Sequence, residues 1–233
     1  MANQLIFDLT LPAPTYARED FVVAAGNREA VAWIDRWPDW PAPALAVSGP
    51  AGCGKTHLGR IWAARAQAAI VEGPDLDGKT VADLVALVEI SRALVVERAE
   101  RTPERALFHL YNLMRERRGF LLLLAEHPPA HWRITLPDLA SRLRAAPAVA
   151  VAAPDDDLLG SIILKQLADR QLHAGPGVVH YLVSHMERSA DAARHVVAAL
   201  DRRALVESRE IDRRLAADVL AALSASSAEG EKR

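Results

Sequence analysis

The sequence predicts an α/β domain built on a five-stranded parallel sheet, followed by a small all-α domain. Three observations predict it. Five short apolar runs alternate with longer amphipathic segments as far as Ala153, no strand-like run follows Pro154, and a glycine-rich turn joins the first apolar run to the helix after it. Continuous apolar strands separated by helices imply a sheet covered on both faces, the arrangement that βαβ connections produce. At 233 residues, 51% of them hydrophobic, the chain can form one large domain or two modest ones without metal or disulfide staples.

In chain order, residues 1–15 contain Pro12 and Pro14 without clear periodicity and read as an extended arm. Ala44-Leu45-Ala46-Val47 is the first buried strand, followed by the glycine-rich turn and a helix over about 55–67. Residues 68–71 form the second strand, 80–88 a helix with leucine and valine at helical spacing, and 93–96 the third strand. Pro103 opens a helix running to about 118, because proline at a first helical position forfeits no hydrogen bond. Ala106, Leu107, Leu110, Leu113 and Met114 line one side of that helix. The fourth and fifth strands are 120–125 and 148–153. Helices then follow over about 155–172, 177–186, 190–207 and 212–223, with Asp155 as a cap and Gly175-Pro176-Gly177 as a break. The expected organisation is an arm (1–15), an α/β domain (16–153), a helical lid (154–223) and a disordered tail (224–233).

Composition narrows the classes. Residues 1–100 carry nine basic against thirteen acidic side chains and residues 101–233 nineteen against seventeen, so neither half is basic enough to make nucleic acid a default partner. Only Lys55, Lys79, Lys165 and Lys232 are lysines, so an arginine here must be placed by its context. The lone cysteine, Cys53, excludes an internal disulfide and fits a reducing compartment. No run approaches the length of a spanning helix, and the N-terminus lacks the positive region of a secretory signal. A cytoplasmic protein without membrane attachment is the expectation.

Gly49-Pro50-Ala51-Gly52-Cys53-Gly54-Lys55-Thr56 matches G-x-x-x-x-G-K-T in full, between a predicted strand and a predicted helix. Glycines let successive backbone N–H groups curl around phosphate oxygens, and the helix N-terminus adds its dipole. Lys55 would reach the β/γ-phosphates and Thr56 would offer its hydroxyl to Mg²⁺, with His57 following in the same cofactor-binding segment. A nucleoside di- or triphosphate with Mg²⁺ is the implied ligand. The third strand should supply the acidic partner, and it ends Val95-Val96-Glu97-Arg98. Glu97 stands where P-loop proteins usually place the carboxylate that holds the metal's water shell; the alternative is an ordinary strand-end carboxylate. Active ATPases follow that position with an acid that polarises the attacking water. Arg98 cannot accept a proton, so weak hydrolysis at this site is expected.

The residues around this motif resemble the AAA+ module of DnaA-like replication initiators, and within that group the Hda-type regulators. The resemblance covers about 200 residues. Glu19-Asp20-Phe21-Val22-Val23 followed by Gly26-Asn27-Arg28 resembles the stretch lining the adenine side of the family's pocket, which implies binding roles for Phe21, Val22, Val23 and Asn27. Leu107-Phe108-His109-Leu110-Tyr111-Asn112 is similar to the helix after the acidic strand. Leu124-Ala125-Glu126-His127-Pro128-Pro129 resembles the sensor 1 strand end, putting Glu126 towards the γ-phosphate region. Leu136-Pro137-Asp138-Leu139-Ala140-Ser141-Arg142-Leu143 resembles the arginine-finger segment and makes Arg142 the implied trans-acting finger, with an intramolecular role as the alternative. Ala192-Ala193-Arg194-His195 resembles sensor 2 and would send Arg194 to the phosphates; otherwise Arg194 is a salt-bridging helix residue.

Gln4-Leu5-Ile6-Phe7-Asp8-Leu9 resembles the glutamine-led motif by which replication proteins dock on the sliding clamp. An extended segment would insert Leu5, Phe7 and Leu9 into an apolar groove while Gln4 hydrogen-bonds at one end. The resemblance therefore implies a regulator that binds adenine nucleotide, docks on the β sliding clamp and stimulates ATP hydrolysis by DnaA through Arg142. DNA would be met only indirectly through the clamp, no membrane is involved, and a homodimer is compatible with the pattern. The competing expectations are an autonomous P-loop ATPase or kinase, an adaptor binding DnaA or helicase without stimulating hydrolysis, and a scaffold that binds no nucleotide.

Overall fold

The computed structural model describes the backbone of residues 17–230 and the side chains of all of these except Ile90 and 226–230. The arm, with Gln4, Leu5, Phe7 and Leu9, lies outside the described residues.

The apolar runs become β1 (Ala44–Ser48), β2 (Ala69–Glu72), β3 (Ala93–Glu97), β4 (Phe120–Ala125) and β5 (Ala148–Ala150). They form one five-stranded parallel sheet in the order β2-β3-β4-β1-β5. In β4, Leu121 and Leu123 face one core while Leu122 and Leu124 face the other, the two-residue period of a strand buried on both sides. One face packs on α1 (Arg28–Asp35) and α2 (Lys55–Ala66), through Val31, Ile34, Leu58 and Trp62. The opposite face carries α3 (Val81–Ile90), α4 (Glu104–Glu116) and α5 (Pro137–Ala145), through Leu84, Leu110, Met114 and Leu139. Beyond the sheet, α6 (Asp156–Asp169), α7 (Val178–His185), α8 (Ala190–Glu207) and α9 (Arg213–Gly230) close a separate core around Leu159, Leu182, Val197 and Leu215.

The connection from β1 to β2 passes over β4 and β3, so the chain turns in opposite directions on leaving β1 and β4. Such a reversal opens a crevice at the carboxyl ends of the strands, where open α/β sheets take their ligands.

Several elements depart from the expectation. The sequence reading places no helix at α1 or α5, although α1 buries Ala30, Val31 and Ile34 at helical spacing. β5 ends at Ala150 rather than Ala153, and the Ala152 amide donates instead to Gly26 O at 2.9 Å. The segment expected to be a disordered tail from Ser224 is helical as far as Gly230, because its alanine- and serine-rich run contains no breaker before that glycine.

α4 and α5 are tied by one carboxylate. Glu104 accepts from the Thr135 amide (2.8 Å), the Thr135 hydroxyl (2.9 Å) and the amide of Leu136 (2.9 Å), the N-cap residue of α5. Hydrogen bonding to Thr135 foremost holds the Glu104 carboxyl below its ordinary value of 4.5. A folded-state pKa below the unfolded one contributes stability that is present above the unfolded pKa and fades as pH falls through the folded one. Glu104→Gln is therefore expected to melt below the wild type at pH 7, with the gap closing as the pH drops well beneath 4.5. Thermal melts at pH 7 and pH 3 check this, and an equal gap at both would contradict it.

Candidate functional site

The glycine-rich loop leaves β1 at Ser48 and enters α2 at Lys55. Its shape requires glycine, as Gly54 and Gly52 show. Gly54, the N-cap of α2, has φ +102°, and Gly52 has φ +70° with the Ser189 side chain so close that a Cβ there would lie 2.3 Å from Ser189 Cβ. The Ala190 amide at the start of α8 donates to Gly52 O at 3.1 Å, so the lid rests directly on the loop. Lys55 Nζ donates to Gly49 O (2.6 Å) and Pro50 O (2.7 Å). The ammonium thus sits inside the loop, where a phosphate oxygen would offer it the stronger, charge-assisted bond. Pro50 and Ala51 are exposed and contribute backbone alone. Cys53 is buried in the α1–α2 core, its sulfur 3.7 Å from Lys55 Nζ, as suits a small packing residue.

Thr56 Oγ1 donates to Glu97 Oε2 at 3.2 Å, bringing the helix start and the end of β3 together. These are hard oxygen donors of the kind Mg²⁺ prefers. Among the described residues there is no cluster of three His, Cys, Asp or Glu able to hold an ion, so a cation here would complete its shell with phosphate and water oxygens. Arg98 has φ 50° and donates from Nε to Glu72 Oε2 at 2.8 Å, at the end of the edge strand β2. Glu126 follows the end of β4 and is exposed; its amide donates to Glu100 Oε1 at 3.3 Å, and the Gly49 amide bonds Ala125 O beside it at 3.2 Å. Glu126 is therefore at the loop's edge of the sheet.

Two adjoining pockets meet at Gly54, His57 and Arg194. The first is walled by Phe21, Val22, Asn27 and Cys53 from the sheet domain and by Pro154, Leu158, Ile162, Lys165 and Gln166 from the lid side. Asn27, 3% exposed, accepts from Ala24 N (2.9 Å) and donates to Val22 O (3.0 Å), fixing the backbone that carries Phe21 and Val22. Val23, expected in the pocket, is 44% exposed and absent from its lining. The second pocket is polar, formed by Gly52, Lys55, Thr56, Arg60, Asp191 and His195 with the shared residues.

His57 stands between the two. Its ring meets Phe21 edge-on at 5.2 Å, and its Nδ1 accepts from Arg194 Nη1 at 3.0 Å. Burial first, then the charges of Arg194 and Arg60 against the opposing effect of Asp20, push its pKa down to about 4, so the ring is neutral near pH 7. Arg194 also pairs with Asp191, which makes it both the salt-bridging helix residue and the cation facing the loop. Sequence reasoning missed Arg60, His195 and the lid-side wall. Lys165 had a signal as one of four lysines in an arginine-weighted chain, and it ties the lid to the sheet domain by donating to Asp20 Oδ1 at 2.9 Å.

Arg142 is not part of either pocket lining. It lies half-buried on α4: Nη1 donates to Asn112 Oδ1, and the guanidinium carbon is 5.1 Å from the Phe108 ring centre and 5.7 Å from that of Tyr111. The intramolecular contacts of the alternative reading are thus present. No carboxylate among the described residues forms an ion pair with it. Arg144, one turn from Ala140, is exposed and bonds back to that residue's carbonyl at 3.2 Å.

No family model matches the sequence. Among solved structures, the chain is similar to domain III of the Thermotoga maritima replication initiation protein DnaA, with a TM-score of 0.76, 18% identity, and coverage of 89% of this chain and 96% of that one. The chain shares the fold of that domain. AMPPCP-bound DnaA from Aquifex aeolicus is similar at TM-score 0.68 and 19% identity, over 82% of this chain and 67% of that one. The Thermotoga maritima RuvB Holliday junction branch migration motor is similar at TM-score 0.70 and 16% identity, over 90% of this chain and 72% of that one. Among the described residues, no helix is long and apolar enough to cross a membrane.

Proposed function

We propose that this chain is an adenine-nucleotide-binding regulator of replication initiation of the Hda type. It holds ADP or ATP at the glycine-rich loop, docks on the sliding clamp through Gln4, Leu5, Phe7 and Leu9, and offers Arg142 to ATP bound by DnaA. The observation that carries this reading is the state of Arg142: fixed in direction by α4 yet not neutralised by any carboxylate among the described residues. A guanidinium fixed beforehand and still fully charged is suited to charge that spreads over a phosphoryl group during transfer.

At its own site the base would lie against Phe21, Val22, Leu158 and Ile162, with the phosphates passing His57 towards Lys55 and Arg194. Thr56 and Glu97 would hold Mg²⁺, which when bound neutralises phosphate charge. The likeness to a DnaA structure bound to AMPPCP supports an adenine nucleotide. The pairing of Arg98 with Glu72 weighs against vigorous hydrolysis here, since no acid follows Glu97 to orient water. Nucleotide therefore serves to set the lid and the shape of the protein.

The decisive experiment mixes the chain with ATP-loaded DnaA and clamp-loaded DNA and follows phosphate release. Faster release than from DnaA alone is expected; an unchanged rate refutes the reading, and turnover by the isolated chain at ordinary AAA+ rates favours the autonomous ATPase. For the arm, Gln4→Ala combined with Leu5→Ala is expected to abolish retention on immobilised clamp, and undiminished retention removes the arm from the mechanism.

A further inference from the structure

α4 presents Glu104, Phe108, Tyr111 and Asn112 at positions i, i+4, i+7 and i+8, which lie on one side of a helix. That side meets α5 at two points. Glu104 fastens the residues that start α5, and about two turns later Asn112, Phe108 and Tyr111 take the guanidinium of Arg142, in the second turn of α5.

All three partners of the guanidinium are neutral. An amide oxygen and two aromatic faces orient a cation without cancelling its charge, whereas a carboxylate at the same place would form a bidentate pair and compete with an incoming phosphate. Tyr111 is 4% exposed and its hydroxyl pKa is raised, by burial foremost, so this wall does not ionise near neutral pH. We propose that this face of α4 is a cradle that aims Arg142 at a polyphosphate held by another subunit, and that Asn112 is its positioning residue, required to be an uncharged acceptor. The inference rests on the trans-finger reading and adds to it the groups that make the finger effective.

The test is Asn112→Asp, which exchanges one amide nitrogen for oxygen and adds a negative charge beside Arg142. Its melting temperature should equal or exceed that of the wild type and its own nucleotide affinity should be unchanged, while stimulated ATP hydrolysis on the partner falls at least about tenfold. Asn112→Gln keeps a neutral acceptor and should stay within about threefold of the wild type, a split that a merely structural role would not produce. Wild-type stimulation by Asn112→Asp overturns the cradle, as does an equal loss in both variants, which would make shape rather than charge the requirement. If Arg142→Ala itself leaves stimulation intact, the trans-finger reading falls and the cradle with it; if only the Asn112 variants behave as the wild type, the finger stands and the cradle falls.

Discussion

Arg142→Ala is expected to lower the stimulated hydrolysis of ATP on the partner by about 10³-fold or more, the scale on which arginine fingers act in phosphoryl transfer. Nucleotide binding by the chain itself should not change, because Arg142 is absent from both pocket linings. The fold should lose only the contacts of one half-buried guanidinium with Phe108, Tyr111 and Asn112, on the order of 1 kcal/mol. Arg142→Lys should recover little, since a lysine ammonium cannot span an amide and a phosphate with one planar fork. Single-turnover phosphate release, with a thermal melt of each variant, separates the two effects. Full stimulation by Arg142→Ala would leave the intramolecular packing on α4 as the residue's whole role.

Lys55→Ala should have the second-largest effect. The ammonium already occupies the centre of the loop, bonded to the Gly49 and Pro50 carbonyls, and is the cation placed to exchange them for phosphate oxygens. A hydrogen bond to a charged group contributes about 1.5–3 kcal/mol, so affinity for ATP and ADP should drop by roughly 10–150-fold. The rise in melting temperature produced by a fixed nucleotide concentration should shrink in step, because ligand stabilisation follows occupancy of the folded state. Calorimetric titration with each nucleotide checks it, and wild-type affinity would sink the assignment of the loop. The unliganded protein should be little altered, as Lys55 is only half-buried and packs in none of the cores.

The loop and the sheet were legible for local reasons. Each strand is a continuous apolar run because both faces are buried, and the order glycine, glycine, lysine, threonine between a strand and a helix is a constraint that neighbouring residues impose on each other. The approach of Thr56 to Glu97 could be anticipated from motif and strand end alone, and they lie 3.2 Å apart. The lid side of the first pocket was illegible. Leu158, Ile162 and Lys165 read as an ordinary amphipathic helix, and their use as a wall depends on where α6 is set against the segment around Phe21. Val23 failed in the opposite direction: a stretch resembling a pocket edge does not say which of its side chains point inward.

The sequence by itself determined an α/β sheet, a glycine-rich loop with Lys55 and Thr56 at its end, and a helical region after Pro154, because all of these follow from hydrophobic period and backbone permissiveness over a few residues. Tertiary structure alone decided the state of the arginines. Arg98 is committed to Glu72, Arg194 is shared between Asp191 and His57, and Arg142 is held by an amide and two rings. An arginine side chain is long, flexible and always charged, so its chemistry is set by whichever acceptors the fold brings within reach, and these lie up to 137 residues away in the chain.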